Sequence, residues 1–144
     1  MLVIDFENKC SAKRHTAITN AITFAFNQLM PRVRKPVFIN INTIRKLADK
    51  KGIYGDCLDE GDREFTIRID VSLPLEDMIT TLLHEMVHVY QYVSGRMKYK
   101  WIHEVSFDRV VYDWDMDYNK RPWEIEAHSK EKELKDKYDE YYGN

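Results

Sequence analysis

Residues 75–93 read LEDMITTLLHEMVHVYQYV and contain the pentapeptide HEMVH at positions 84–88. Apolar residues recur through this stretch at helical spacing, and neither Gly nor Pro interrupts it. Pro74 precedes it and Gly95 follows it, which favours a helix bounded by these two residues. Two histidines four residues apart lie one turn apart on the same helical face, so both imidazoles can bind one metal ion.

The acid inside the pentapeptide gives the motif its chemistry. Glu85 is rotated by about 100° from His84, so its carboxylate can approach a water on the metal without binding the ion itself. Two neutral nitrogen ligands beside a general base are what a metal-dependent hydrolase needs. An H-E-x-x-H arises by chance in roughly 1% of chains of this composition, and its helical context favours the metal site. The motif predicts His84 and His88 as zinc ligands and Glu85 as the catalytic base.

Length and composition favour one folded domain over residues 1–144. The apolar content is 44% and the aromatic content is 12%, values typical of a globular chain. No apolar run approaches the length of a membrane span, and the first residues lack the pattern of a signal peptide. Cys10 and Cys57 are the only cysteines, and two lone thiols favour reduced residues over a disulfide. We expect a cytoplasmic protein without membrane association.

The formal net charge of -2 hides an uneven distribution. Residues 9–51 carry every lysine and arginine of the first third of the chain, with Asp49 as their only acid, whereas residues 52–144 are acidic. A basic segment can contact nucleic acid, but no aromatic residues accompany these charges in a recognisable binding motif. Nucleic-acid contact is therefore the less favoured interpretation of this segment.

Periodicity along the chain predicts an α+β fold with a small mixed sheet. Residues 2–6 alternate as a short edge strand, and residues 11–30 have helical spacing that ends at Pro31. The remaining elements of the first half are a strand at 37–41, a short helix capped by Asn42 or Thr43 and running to Lys51, and a hairpin of strands 53–58 and 64–71. The second strand of this hairpin is a candidate to offer its free edge to an extended peptide.

After Gly95 the pattern predicts a strand pair over residues 105–112 and a final helix that begins at Pro122. Residues 138–144 are expected to be a frayed tail. A catalytic zinc site needs a third protein ligand and a position left open to water. The candidates downstream of the motif are Glu124, His103, Glu126 and His128. Trp123 and Ala127 beside two acids suit a buried helical face, which favours Glu124.

The H-E-x-x-H helix followed by a helix with an acidic ligand resembles the zincin metallopeptidases, and their gluzincin branch in particular. That branch carries its third ligand in an E-x-x-A-D or E-x-x-A-N segment, which residues 124–128 (EIEAH) match except that His128 replaces the acid. Small phage and bacterial zincins that pair H-E-x-x-H-x-x-Q with P-W-E-I-E-A resemble the chain more closely still. This resemblance implies a minimal zincin fold and a bacterial or phage origin.

A second resemblance is to the SprT-like (Spartan-type) proteases, in which a histidine and then an aromatic residue four positions later follow the H-E-M-x-H helix. His103 and Phe107 fit that spacing, although Glu104 stands where a glycine normally follows the ligand. The resemblance implies a DNA-associated protease with His103 as third ligand.

Both resemblances imply a zinc-dependent metallopeptidase in which Glu85 activates a metal-bound water against a peptide or protein substrate. The oxyanion donor is left open among four residues, which are Tyr112, Tyr118, His103 and Arg121. A non-catalytic metal-binding interaction module is the alternative, and it would use four protein ligands without need of a base.

Overall fold

The computed structural model describes residues 1–143 and confirms the α+β class. The elements in chain order are β1 (Leu2–Phe6), α1 (Ala12–Leu29), β2 (Val37–Ile44), α2 (Leu47–Lys51), β3 (Gly55–Gly61), β4 (Glu64–Asp70), α3 (Leu75–Val93), β5 (Met97–Tyr99), β6 (Glu104–Phe107), β7 (Val110–Asp113), a 3-10 turn (Tyr118–Lys120) and α4 (Pro122–Tyr142).

The larger sheet has the strand order β1-β2-β4-β3. Strands β1, β2 and β4 are parallel, and β3 is antiparallel to β4, as expected for a hairpin. Residues of β2 and β4 alternate between buried and half-buried, so one face of the sheet meets the core. Helices α1 and α3 pack on that face and on each other, and α4 packs on α3.

The smaller sheet, of order β5-β6-β7, confirms the predicted strand pair and adds β5. It has a separate apolar cluster centred on Trp123, which is fully buried at the start of α4. Met97, Val105 and Phe107 surround this indole, and Trp114 stacks on it at 5.8 Å between ring centroids. The cluster holds the first turn of α4 beside α3.

The predicted cap at Asn42 or Thr43 is wrong, because both residues belong to β2. Parallel pairing with β4 continues to Ile44 and carries the strand beyond the predicted end. Helix α2 begins only at Leu47, after Lys46 in a left-handed conformation. The capping residue is instead Asp70, at the end of β4. Its carboxylate accepts hydrogen bonds from the backbone N–H groups of Lys46 and Ala48.

The tail predicted over residues 138–144 begins with a buried residue. Helix α4 continues to Tyr142, and the Tyr138 side chain is buried at 4% exposure against Phe24 of α1. Residues 140–143 are exposed, so Tyr138 is the residue that fixes this end of the helix to the core. Asn144 lies outside the described residues.

The free edges of the larger sheet are β1 and β3, and the prediction that β4 would offer an edge is wrong. Strand β4 is hydrogen-bonded on both sides, to β2 and to β3. At Gly55 the edge strand runs very close to its neighbours, because an added Cβ would lie 2.6 Å from the Arg68 carbonyl oxygen and 3.0 Å from the Thr81 methyl. A glycine is therefore required where β3 passes α3.

Within residues 1–143, none of the helices combines the length and the apolar character needed to cross a bilayer.

Candidate metal centre

Three side chains from α3 and α4 converge where the two helices pack together. The Glu124 Oε1 atom lies 2.9 Å from His84 Nε2 and 3.1 Å from His88 Nε2, and the two Nε2 atoms are 3.2 Å apart. The i,i+4 spacing places both imidazoles on one face of α3. Trp123 and Ala127 are buried and fix the first two turns of α4, so that Glu124 points at the two imidazoles. The structure thus brings together the three residues that the sequence predicts as ligands.

The hydrogen bonds around the imidazoles determine which nitrogen atoms carry protons. His84 Nδ1 lies 2.7 Å from the Glu131 carboxylate, which only accepts, so Nδ1–H donates and Nε2 keeps its lone pair. The Gln91 amide nitrogen donates to the Trp123 carbonyl and to Glu126, which leaves Gln91 Oε1 as the acceptor for His88 Nδ1 at 2.8 Å. His88 Nε2 therefore also presents a lone pair.

With both imidazoles neutral, three lone-pair atoms would meet here without a hydrogen atom between them, so the arrangement needs a cation, either a metal ion or an extra proton on an imidazole. Tetrahedral zinc with nitrogen and oxygen ligands near 2.0–2.1 Å places neighbouring ligand atoms about 3.3 Å apart. The observed separations of 2.9–3.2 Å are close to that value. Two imidazoles and a carboxylate, each imidazole with its second nitrogen held by a partner, also match the ligand chemistry of catalytic zinc.

The electrostatics of the three residues favour positive charge at this point. Burial lowers the pKa of His84, but its hydrogen bonds to Glu124 and Glu131 outweigh that effect and raise the pKa to about 10. The pKa of His88 is raised as well, because its hydrogen bond to Glu124 exceeds the opposing effect of burial. Burial raises the pKa of Glu124, yet the two imidazoles more than compensate and lower it well below its usual range. The carboxylate therefore stays ionised and available to a cation.

Glu85 lies beside this group without joining it. Its side chain is 6% exposed, and its carboxylate makes no hydrogen bond to any of residues 1–143. Burial raises the pKa of this carboxyl, and the nearby His88 and His84 reduce the rise. An unpaired carboxylate that faces a cavity beside the ligand atoms has the properties of a general base.

The cavity in front of these residues has a volume of about 640 Å³. Residues 52–55 and Cys57 form one wall, so the cavity runs along the beginning of the free edge of β3. The α3 and α4 residues of the convergent group form its floor, together with Glu85. The lining also includes apolar and aromatic side chains, which are Tyr92, Met97, Trp114 and Trp123. A site of this size and composition suits a peptide or another mostly apolar ligand.

A second polar group lies at the mouth of the cavity. The Tyr118 hydroxyl is 3.0 Å from Glu124 Oε1 and 2.9 Å from His128 Nε2. His128 Nδ1 is 3.2 Å from the same Glu131 oxygen that accepts from His84. His84, Glu124 and His128 also offer ligand atoms within 4.8 Å of one another, so His128 is a conceivable further ligand.

The other candidate ligands lie elsewhere. His103 is a loop residue whose side chain is 68% exposed and whose nearest ionic partner, Asp115, is 3.9 Å away; it does not line the cavity. Glu126 points to the other side of α4, where it pairs with Arg96 and accepts from Gln91. The structure therefore does not assemble the ligand set implied by the SprT-like resemblance.

Of the four candidate oxyanion donors, only Tyr118 lies in the cavity. The Arg121 guanidinium donates to the Met116 carbonyl and lies over the Trp114 ring, and the Tyr112 ring packs on Trp123. The exposed position of His103 removes the fourth candidate.

The predicted metal site included neither Glu131 nor Gln91, although Gln91 completes the H-E-x-x-H-x-x-Q pattern. Glu131 lies seven residues after Glu124, which places it two turns along the same face of α4, and Gln91 lies one turn beyond His88 on α3. Helical spacing could have marked both residues as neighbours of a ligand. Their partners could be found only once α3 and α4 were packed together.

Comparisons with protein-family profiles, with curated protein sequences and with solved structures find no match to this chain.

Proposed function

We propose that this protein is a zinc-dependent metallopeptidase of minimal zincin type, with His84, His88 and Glu124 as zinc ligands and Glu85 as general base. One observation carries the proposal. His84 Nε2, His88 Nε2 and Glu124 Oε1 converge within 3.2 Å of one another, beside the unpaired Glu85 carboxylate and an open cavity. A purely structural site has no use for a base next to its ligands.

His84, His88 and Glu124 would hold the zinc ion, which would lower the pKa of a bound water to about 7 and polarise a carbonyl group. Glu85 is placed to accept a proton from the attacking water and to deliver it to the nitrogen of the leaving amine. Burial raises the pKa of the Glu85 carboxyl, which makes it a stronger base than an exposed glutamate. Glu131 and Gln91 hold the two imidazoles in the tautomer that presents Nε2 to the cation.

The proposed substrate is an extended peptide that lies along β3. The edge strand borders the cavity, and its outer backbone groups have no strand partner among residues 1–143. Main-chain hydrogen bonds to such an edge would orient a peptide bond toward Glu85. The free thiols of Cys10 and Cys57 are consistent with a cytoplasmic location, which we propose on this basis.

A non-catalytic metal-binding module is the second candidate, and His128 is the observation that favours it. If His128 joined the three proposed ligands, the site would have four protein ligands and would be closed to water. The hydrogen bond from Tyr118 and the exposure of the His128 side chain, at 54%, favour the open alternative.

The test combines metal content with hydrolysis of an internally quenched casein substrate. We expect one zinc per chain in the wild type, in Glu85→Gln and in His103→Ala, and a loss of zinc in Glu124→Ala. Hydrolysis should occur only in the wild type and in His103→Ala. His103→Ala is the matched control, because it removes an exposed histidine outside the cavity.

Two outcomes would contradict the proposal. A wild type without bound zinc would leave the convergent group without its cation. Zinc binding with equal hydrolysis in the wild type and in Glu85→Gln would show that the activity does not come from this site.

A further inference from the structure

The smaller sheet ends in strand β7, whose outer side has no strand partner among residues 1–143. The strand reads VVYD, and its two adjacent valines are exposed, at 50% for Val110 and 54% for Val111. A free strand edge with exposed apolar side chains is a template on which a further strand can pair. The residues of β7 therefore indicate what kind of strand this edge accepts.

The other free edges contain charged residues within the strand, whereas β7 does not. Strand β1 contains Asp5, β3 contains Asp59 and Glu60 beside a register shift, and β5 has Lys98 at its centre. Charged residues and irregularities of this kind protect edge strands from pairing with one another. In β7 the only charged residue is Asp113, at the very end, so the apolar part of this edge is unprotected.

The hydrogen bonds of the smaller sheet show which backbone groups of β7 face outward. The Trp114 N–H group donates to the His103 carbonyl at 2.6 Å, one step beyond the last paired residues of β6 and β7. Hydrogen-bonded pairs alternate along antiparallel strands, so Tyr112 and Val110 are the residues whose backbone groups bond to β6. Val111 lies between them, and its N–H and C=O groups therefore point to the free side.

We propose that this edge is the interface of a homodimer, in which β7 pairs antiparallel with β7 of a second copy about a two-fold axis at Val111. The smaller sheets of the two copies then form one continuous sheet. The proposal concerns a surface outside the metal centre and does not depend on the proposed function.

The strand is complementary to itself about this axis. Val111 faces Val111 of the second copy, and the two residues exchange both of their outward backbone hydrogen bonds. Val110 then lies opposite Tyr112 of the second copy at a non-hydrogen-bonded position, where the Cα atoms are closest. Pairs of a β-branched and an aromatic residue stabilise antiparallel sheets at such positions. Because the axis is two-fold, each of these contacts occurs twice.

The charges at the two ends of β7 favour the antiparallel arrangement. Arg109 precedes the strand and Asp113 ends it, so the two-fold axis brings each Arg109 beside Asp113 of the second copy. Neither side chain has an ion-pair partner among residues 1–143, whereas the neighbouring Asp108 is already paired with Arg96. Asp115, at 71% side-chain exposure, adds negative charge at the end that receives Arg109. A parallel arrangement would instead place like charges together.

The length of the strand limits the strength of this dimer. Strand β7 has 4 residues, so the paired edges bury less than the roughly 1,200 Å² of a stable interface. We expect a dissociation constant on the order of 100 µM, which is typical of a weak association.

Sedimentation equilibrium of the chain as purified, from about 5 to 500 µM, measures this association. Val111→Lys places two lysines opposite each other at the axis and should weaken the dimer by about tenfold or more. Leu58→Lys is the matched control, because it makes the same kind of replacement at a 45% exposed residue on the free edge of β3. The control should associate like the wild type. Circular dichroism verifies that both variants fold.

A charge exchange tests the antiparallel register independently of the valines. Arg109→Asp opposes like charges at both ends of the interface and should weaken the dimer by about 3- to 30-fold. The double variant Arg109→Asp, Asp113→Arg restores opposite charges and should associate within about threefold of the wild type. A loss of folding cannot produce such a recovery.

A monomer over the whole concentration range would overturn the proposal. A dimer that Val111→Lys leaves intact, or that Leu58→Lys disrupts, would place the interface elsewhere and would also overturn it. Failure of the double variant to recover would exclude the antiparallel register. None of these results bears on the metal centre, and a chain that dimerises through β7 but binds no zinc would contradict the proposed function alone.

Discussion

Gln91 shows how much a single buried amide can control at this site. It is fully buried, and each hydrogen bond that it makes is to a different group: His88 Nδ1, the Trp123 carbonyl and Glu126. Only a residue with both an acceptor and donors can accept a hydrogen bond from His88 Nδ1 while it also joins α3 to α4.

We predict that Gln91→Ala lowers zinc affinity by about 10- to 100-fold, because His88 loses the acceptor that orients its ring. Competition with a chromophoric chelator measures the affinity, and thermal unfolding of the metal-free protein verifies that the variant folds. Gln28→Ala, at an exposed position of α1, is the matched control. Equal zinc affinity in Gln91→Ala and the wild type would exclude an orienting role.

Asp70 is a second buried residue whose effect can be predicted from its contacts. It is 1% exposed and accepts from the backbone N–H groups of Lys46, Ala48 and Ser72. Burial raises the pKa of this carboxyl, but the hydrogen bonds outweigh it and the net pKa is lowered. Because the folded pKa lies below the unfolded value of about 3.9, Asp70 stabilises the fold above that pH and loses this effect as the pH falls through the folded pKa.

We predict that Asp70→Asn lowers the free energy of unfolding by about 1–3 kcal/mol at pH 7, because the amide turns an N–H group toward a backbone N–H donor. The difference from wild type should shrink as the pH falls below about 3.9, where the unfolded carboxyl is protonated, and should disappear below the lower pKa of the folded state. Urea unfolding at pH 7 and pH 3 measures both values. The exposed Asp49→Asn is the control, and a difference independent of pH would refute the assignment.

At the scale of elements, Tyr138 fixes the C-terminal part of α4 to the core although it lies near the end of the chain. Tyr138 is 4% exposed and meets Phe24 edge-on at 5.6 Å between ring centroids, whereas Tyr141, three residues later, is 73% exposed. The same residue type therefore has two different environments within one helical turn.

We predict that Tyr138→Ala lowers the free energy of unfolding by about 2–4 kcal/mol, because it leaves a cavity between α4 and α1. Tyr141→Ala should change it by about 0.5 kcal/mol or less. Urea denaturation of both variants beside wild type provides the comparison. Similar small effects for the two tyrosines would restore the expectation of a frayed tail.

At the scale of the whole molecule, the convergent group joins the two helices that the two sheets hold in place. Helix α3 packs on the larger sheet, and the Trp123 cluster seats the start of α4 beside the smaller one. A cation bound by His84, His88 and Glu124 would link these two parts. It would also replace the extra proton that His84 Nε2, His88 Nε2 and Glu124 Oε1 otherwise need between them.

We predict that zinc at 100 times its dissociation constant stabilises the wild type by about 2.7 kcal/mol, which raises the unfolding midpoint by roughly 5–10 °C relative to the chelator-treated protein. Glu124→Ala should show a much smaller zinc-dependent shift, since it removes the ligand supplied by α4. Calorimetric scans with zinc and with EDTA test this. Identical midpoints for the wild type in both buffers would contradict a metal centre between α3 and α4.

Much of the secondary structure could be predicted because its signals are local. The helical spacing of apolar residues predicted α1 and α3, and Pro122 marked the start of α4. The errors occurred where a distant residue competes with a local signal. Asn42 and Thr43 resemble helix caps, but pairing with β4 keeps them in a strand and Asp70 supplies the capping oxygen.

The amino-acid sequence by itself determined the half of the site that lies on one helix, because the spacing of His84, Glu85 and His88 sets their directions within α3. It also narrowed the third ligand to four residues. Only the tertiary structure shows which of the four lies beside both His84 and His88, since this depends on how α4 packs against α3 around Trp123. The same holds for the free edge of β3 and for the Tyr118–His128–Glu131 contacts, because strand order and contacts between distant residues follow from global packing rather than from local sequence.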